Sequence, residues 1–401
     1  MSDDIKSNYM SDSMSDSMQY QSFTYDIAGH VIELVWKLPD AQNWQLPGFA
    51  PFLSKKLSDA VNDAQTQNSY KDKLLSVNIK SIEEVDEANE SAKDSVHKYS
   101  EQTILQEQAI SQVRKITTFE IENGTCELSK QDNSYEFLIF SIDGKLSVKL
   151  EMEKGDSTMN CHCVSYEKLC SSESNSNSNS NSNLTRPIMV PDPHHLRFAI
   201  WMAGGFAGIP KWTSAIHASV IIYENQAVLF LGESGTGKST HTQLWLENIP
   251  GTRLLNDDSP ILRLHKQNEN PDGASGGYPN GASDGNSNGR QENTISIYGS
   301  PWSGKGNVYL NENYPVAAVV RLQQAPYNRS TRLNVVQGFA ALYPSFPPAY
   351  LKDEDLHQEI CTIISEILKT VPVFRLECLP KPSAAMHMYQ KIFTHEEKTP
   401  D

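Results

Sequence analysis

Long apolar runs are missing from this 401-residue chain. The longest, Phe198 to Ile209, covers about twelve residues and is broken by Gly204 and Gly205, whereas a membrane-spanning helix needs roughly twenty. Excess positive charge is missing too. Lys and Arg number 34 against 49 Asp and Glu, a net charge of −15. Both a broad nucleic-acid footprint and an electrostatic hold on an anionic membrane need a basic face, so neither partner is expected. A small anion site built from backbone N–H groups remains compatible with an acidic chain. Cysteine is scarce: six residues without framework spacing do not make a disulfide scaffold. Cys161-His162-Cys163 with Cys170 offers metal-ligand types but lacks a second knuckle at zinc-site spacing. The N-terminus is polar and acidic, without the basic and apolar regions of a secretory leader. A reducing cytoplasm fits these absences.

What is present divides the chain. Residues 1–22 repeat Met-Ser-Asp tokens with almost no apolar content and read as a disordered tail. Residues 23–165 read as a small β-rich unit, with short strands around Gly29, from Ile116 to Glu122, Glu136 to Ile142 and Leu146 to Met152. Asn123-Gly124 and Asp143-Gly144 accept the positive φ that tight hairpins require. The acid-rich stretch 81–108 reads as a partly helical surface segment. Residues 171–184 form a Ser/Asn-rich linker, and 268–293 a polar, Gly-rich insert. Between and beyond them, residues 190–395 mix helices and strands in the manner of an α/β domain. Expected elements include a helix at His194–Phe206, strands at Ile216–Tyr223 and Ala227–Leu231, and helices at Thr240–Ile249 and Asp353–Lys369.

The chemistry concentrates at Gly232-Glu233-Ser234-Gly235-Thr236-Gly237-Lys238-Ser239, which satisfies G-x-x-x-x-G-K-[ST]. An apolar strand precedes it and a helix follows. Glycines let successive N–H groups turn toward an anion, and the helix start adds a favourable dipole. Lys238 would reach the β- and γ-phosphates of a nucleotide, and Ser239 would offer its hydroxyl to Mg2+. Nineteen residues beyond Lys238 comes Asp257, followed by Asp258. Adjacent carboxylates at a strand end suit metal holding and proton abstraction, although Asn256-Asp257-Asp258-Ser259-Pro260 is also good turn chemistry.

These residues resemble the HPr kinase/phosphorylase and phosphoenolpyruvate carboxykinase superfamily. The likeness runs through Ala215-Ile216-His217-Ala218-Ser219-Val220, the glycine loop, and Asn256-Asp257-Asp258, with His217 fifteen residues before Gly232. It is closer to bacterial proteins labelled HPr-kinase-related or carboxykinase-like, through Tyr298-Gly299-Ser300-Pro301-Trp302-Ser303-Gly304-Lys305 and Val373-Phe374-Arg375-Leu376-Glu377. The resemblance covers about half the chain. It implies a P-loop catalytic domain, preceded by the small β-rich domain, in which Gly232, Glu233, Ser234, Gly235, Thr236, Gly237, Lys238, Ser239 and Thr240 bind ATP. Ser239 and Asp258 would hold Mg2+, Asp257 would take the acceptor's proton, and His217 would line the site.

The implied activity is ATP-dependent transfer of the γ-phosphoryl group to a hydroxyl of a protein, peptide or small molecule. A homo-oligomer is implied as well. Departures from the pattern are Ala218 in place of a glycine, the absence of a carboxylate at Ser296-Ile297-Tyr298-Gly299, and no recognisable basic C-terminal loop. Two alternatives stay open, a carboxykinase-like reaction and a non-catalytic nucleotide-binding regulator. Trp302 would contact substrate or pack as part of a turn. Arg321, Arg329 and Arg332 are candidates for charge stabilisation, and Pro344, Pro347 and Pro348 with Phe346 and Tyr350 read as a rigid connector or part of an acceptor groove.

Overall fold

Alternation of inward and outward side chains builds the first of two sheets. Along Ser134–Ser141 the residues Tyr135, Phe137 and Ile139 turn inward, and along Leu146–Glu153 so do Val148, Leu150 and Met152. The computed structural model describes residues 21–37, 46–56, 73–81, 113–153, 156–163, 166–168, 188–190, 192–266 and 293–394. The fold is mixed α/β with two large mixed sheets. The expected segments at 171–184, and nearly all of 81–108 and 268–293, lie outside the described residues.

In the first sheet the strands run in the spatial order Leu53–Lys56, Gln21–Ile27, His30–Lys37, Lys73–Ser81, Thr158–Cys163, Leu146–Glu153, Ser134–Ser141, Gly124–Gln131 and Val113–Ile121. Lys73–Ser81 is parallel to both its neighbours, and the other pairs are antiparallel. Two expectations shift here. The first strand begins at Gln21, inside the stretch assigned to the tail. Asn123 takes the positive φ of its hairpin (66°), but Gly124 already belongs to the next strand. Its glycine is required by proximity instead, because a Cβ there would lie 2.0 Å from the Phe140 carbonyl oxygen.

The second sheet is ordered Thr213–Ala215, Ile261–His265, Thr294–Tyr298, Asn313–Gln324, Gln226–Leu231, Ser219–Tyr223 and Arg253–Asn256. Val373–Cys378 runs parallel to Asn313–Gln324 and carries Arg329–Arg332 on its other edge. The single strand expected at Ile216–Tyr223 is broken. Ile216, His217 and Ala218 cross between strands, donating their N–H groups to the carbonyls of Pro260, Ser345 and Asp258.

The helix Pro193–Gly208 joins the two sheets. Asp192 caps it by accepting from the His194 and His195 amides, and Pro193 sits where no N–H partner is needed. Phe206 packs edge-on against Tyr135 and Phe137 of the first sheet, with centroids 4.6 and 5.0 Å away, and against Tyr350 at 5.4 Å. One apolar cluster therefore runs from Leu34 and Phe137 through Phe206 to Leu229 and Ile364. Phe346 and Tyr350 are buried within it, which agrees with a packed connector and not with a groove wall. Among the described residues no helix is long and apolar enough to cross a membrane.

Gly205 is fixed by this packing. A Cβ on it would stand 2.0 Å from the Tyr350 hydroxyl oxygen and 2.2 Å from its ring. That hydroxyl is itself tied to the carbonyls of Trp201 and Met202. Gly205→Ala is expected to lower unfolding free energy by about 1–3 kcal/mol, the usual cost of overpacking a core. Denaturant titration of the full chain checks this, and an unchanged midpoint would contradict it.

Candidate active site

The loop starts from the middle of the second sheet. Gln226–Leu231 is flanked by Ser219–Tyr223 and by Asn313–Gln324, and Ala227 to Leu231 are all buried. The helix that follows, Lys238–Asn248, is covered by the helix Pro382–Phe393 and packs Trp245 with Phe230 and Met388 in a second apolar cluster. Pro382 at the helix start and the apolar spacing of Ala384, Ala385 and Met388 are signals that could have revealed that last helix from sequence.

Gly235 and Gly237 take φ values of 79° and 104°, in the left-handed region that glycine tolerates. A Cβ at either would meet nothing within 4 Å, so the loop's outer face is open. Thr236 folds back onto the Glu233 carbonyl through its hydroxyl (2.5 Å) and its amide (3.2 Å). Gly237 caps the helix without a side-chain bond. The first amides of Lys238–Asn248 are thus uncapped by any side chain, the arrangement that favours an anion. Glu233, Ser234, Ser239 and Thr240 are exposed along it.

Lys238 is buried, with 8% exposure. Its ammonium donates to the carbonyls of Gly232 (2.8 Å) and Glu233 (3.3 Å) and to His217 Nε2 (2.8 Å). Burial holds its pKa below the ordinary lysine value; Asp258 opposes that shift and Arg321 adds to it. Because Lys238 donates to Nε2, the ring proton is assigned to Nδ1. That nitrogen faces the Asp258 carboxylate across 3.3 Å. His217, Lys238 and Asp258 therefore form one connected set at the base of the glycine loop.

Asn256, fully buried, forms the turn. Its side-chain oxygen accepts from the amides of Asp258 and Ser259, both at 2.9 Å, while its amide group donates to Ser300 and to the Trp302 carbonyl. The turn chemistry in Asn-Asp-Asp-Ser-Pro is thus supplied by the asparagine, and both acidic side chains have other partners. Asp257 accepts from the Ser303 hydroxyl (2.5 Å) and from the amides of Gly304 and Gly306 (2.7 Å each). Asn256 was legible as turn chemistry and Ser303 only as part of the turn Pro301 to Lys305; no local signal points from Ser303 to Asp257.

Other candidates separate by position. Arg321 lies opposite Leu231 in the neighbouring strand, 3.6 Å from the Glu233 carboxylate. Arg329 is paired with Glu377 instead, and Arg332 ends the same short strand. Trp302 packs on Phe49, with centroids 5.4 Å apart, and donates to the Arg197 carbonyl, so it anchors the turn. Cys161 and Cys163 are buried with their sulfurs 3.8 Å apart, whereas His162 faces Glu151; Cys170 lies outside the described residues.

No group of three or more His, Cys, Asp or Glu side chains gathers as a metal site among the described residues. Ser239 is exposed at the start of the loop helix and Asp258 faces His217, two oxygen-bearing side chains of the kind Mg2+ takes when phosphates and water complete its shell.

His241, in the loop helix, accepts from the Trp245 indole at 3.2 Å and packs on Phe230. Burial pushes its pKa down to about 4, and burial followed by the nearby cations pushes His30 down to about 3. Both rings stay neutral in the folded chain while the unfolded chain takes up protons below the ordinary value of 6.5. Stability is therefore full above that pH and falls as pH drops toward 4, by about 1.4 kcal/mol per unit for each group. Unfolding curves between pH 7 and 4 should show this slope, and His241→Gln should make it shallower by about one group's share.

Neither a scan against protein-family models nor a search of curated proteins finds a match for the chain.

Proposed function

We propose that this chain is an ATP-dependent phosphotransferase of the HPr-kinase-like kind, built on a P-loop domain and passing the γ-phosphoryl group to a hydroxyl. The acceptor is a serine of a protein or peptide, or a small hydroxylated molecule. One observation carries the reading: Lys238, His217 and Asp258 are linked by contacts of 2.8 and 3.3 Å at the base of an open glycine loop. On nucleotide binding, the Lys238 ammonium exchanges its loop carbonyls for phosphate oxygens. The loop amides and helix start hold the remaining phosphate charge. Ser239 and Asp258 would hold Mg2+, which supplies charge neutralisation on the phosphates. Asp257, whose carboxylate already receives a hydroxyl hydrogen, takes the proton of the acceptor.

A second reading, a nucleotide-binding regulator without turnover, is favoured by the three donors that already occupy Asp257. Titrating the protein with a fluorescent ATP analogue, then following γ-labelled ATP into acceptors of a cell lysate, separates the two. Binding with transfer is the expected result. Binding without transfer to any acceptor supports the regulator, and no binding at all overturns both.

A further inference from the structure

We propose that Ser303 is itself a phosphoryl acceptor, so that the chain phosphorylates its own Ser303 from a nucleoside triphosphate. The inference rests on the phosphotransfer reading of the same site. Its ground is placement. The Ser303 hydroxyl donates to the Asp257 carboxylate at 2.5 Å, the relation a phosphotransferase must create between base and acceptor. That hydroxyl accepts from the Val308 amide at 2.9 Å. A serine oxygen has one hydrogen and two lone pairs, so one lone pair remains for attack.

The surrounding turn is built to keep the hydroxyl there. Gly304 and Gly306 donate their amides to Asp257, and a Cβ on Gly306 would stand 2.7 Å from that carboxylate. A Cβ on Gly304 would be 3.2 Å from the Asp258 Cβ, so the turn lies against both acids. Trp302, fixed by Phe49 and the Arg197 carbonyl, holds the turn from behind. Asp258 in turn faces His217, which accepts from Lys238, so the serine sits one residue from the connected set beneath the loop.

The step balances. The Ser303 Oγ–Pγ bond forms, the bond from Pγ to the β,γ-bridging oxygen breaks, and the nucleoside diphosphate leaves with that electron pair. The hydroxyl proton passes to the Asp257 carboxylate and then to water. The product carries nearly two negative charges beside an acidic side chain, a like-charge contact that loosens the turn.

The full chain is incubated with Mg·ATP and examined by intact mass and by tandem mass spectrometry, with ATP-analogue binding measured on the same preparation. The expected result is one added phosphoryl group, on Ser303, at a rate per molecule independent of protein concentration. In Ser303→Ala the modification falls to background, and in Ser303→Thr it returns as phosphothreonine, with circular dichroism confirming that both variants are folded. Nucleotide binding and lysate transfer with an unmodified Ser303 would overturn this inference alone. An equal level of modification elsewhere in Ser303→Ala would overturn it as well. Failure to bind nucleotide would instead bring down the phosphotransfer reading and this inference with it.

Discussion

Lys238→Ala is expected to lower phosphoryl transfer from ATP by about 10²–10³-fold, the usual loss when one preorganised charge is removed from a developing anion. The lysine is not a mobile surface group. It is buried and held by two loop carbonyls and His217, so its charge is positioned before any phosphate arrives. Far-UV circular dichroism should stay unchanged, because the strand Gln226–Leu231 and the helix Lys238–Asn248 are fixed by Phe230, Trp245 and Met388 rather than by the lysine. A further signature is alkaline. Burial lowers the pKa of Lys238 below the ordinary 10.5, so its charge, and transfer with it, is lost as pH rises through that lowered value. Transfer undiminished in Lys238→Ala would reject the assignment.

Asp257→Asn is expected to abolish transfer and also to destabilise the fold. The carboxylate accepts three hydrogen bonds from the 303–306 turn. An amide in its place turns an N–H group toward donors, leaving at least one partly exposed partner unmatched, a loss of about 0.5–1.5 kcal/mol. Asp258→Asn is the contrasting variant. It leaves the turn intact and alters only the side facing His217. Paired unfolding and transfer measurements therefore distinguish the two acids. If Asp257→Asn unfolded at the wild-type denaturant concentration, the turn would have some other support.

The glycine loop was legible in sequence because everything it needs is local: a buried apolar strand, glycines at the two left-handed positions, and a helix start. Strands such as Ser134–Ser141 and Leu146–Glu153, beside sharp turns and strongly alternating, were legible for the same reason. Lys73–Ser81 was not, since both its partners are parallel and arrive from distant segments without a hairpin signal. Gly124–Gln131 escaped because its outward Thr125, Glu127 and Ser129 read as loop. At the site, the pairing of His217 with the loop lysine was visible only as a spacing. The break that presents His217 depends on the Asp258, Pro260 and Ser345 carbonyls, two from the turn that follows Arg253–Asn256 and one more than a hundred residues away. The division of labour between Asp257 and Asp258 was hidden for the same reason, because the 303–306 turn returns from across the insert.

Gly48, with φ of 83°, lies so near Pro301 and Tyr309 that a Cβ would stand 2.6 Å from both, and Phe49 beside it receives Trp302. Synthesis proceeds from the N-terminus, so this seat is made long before the segment that must rest in it. The early turn at 46–49 thus serves as a seat for chemistry encoded some 250 residues later, and damage to it would be read out as lost precision at the acids, however sound the glycine loop.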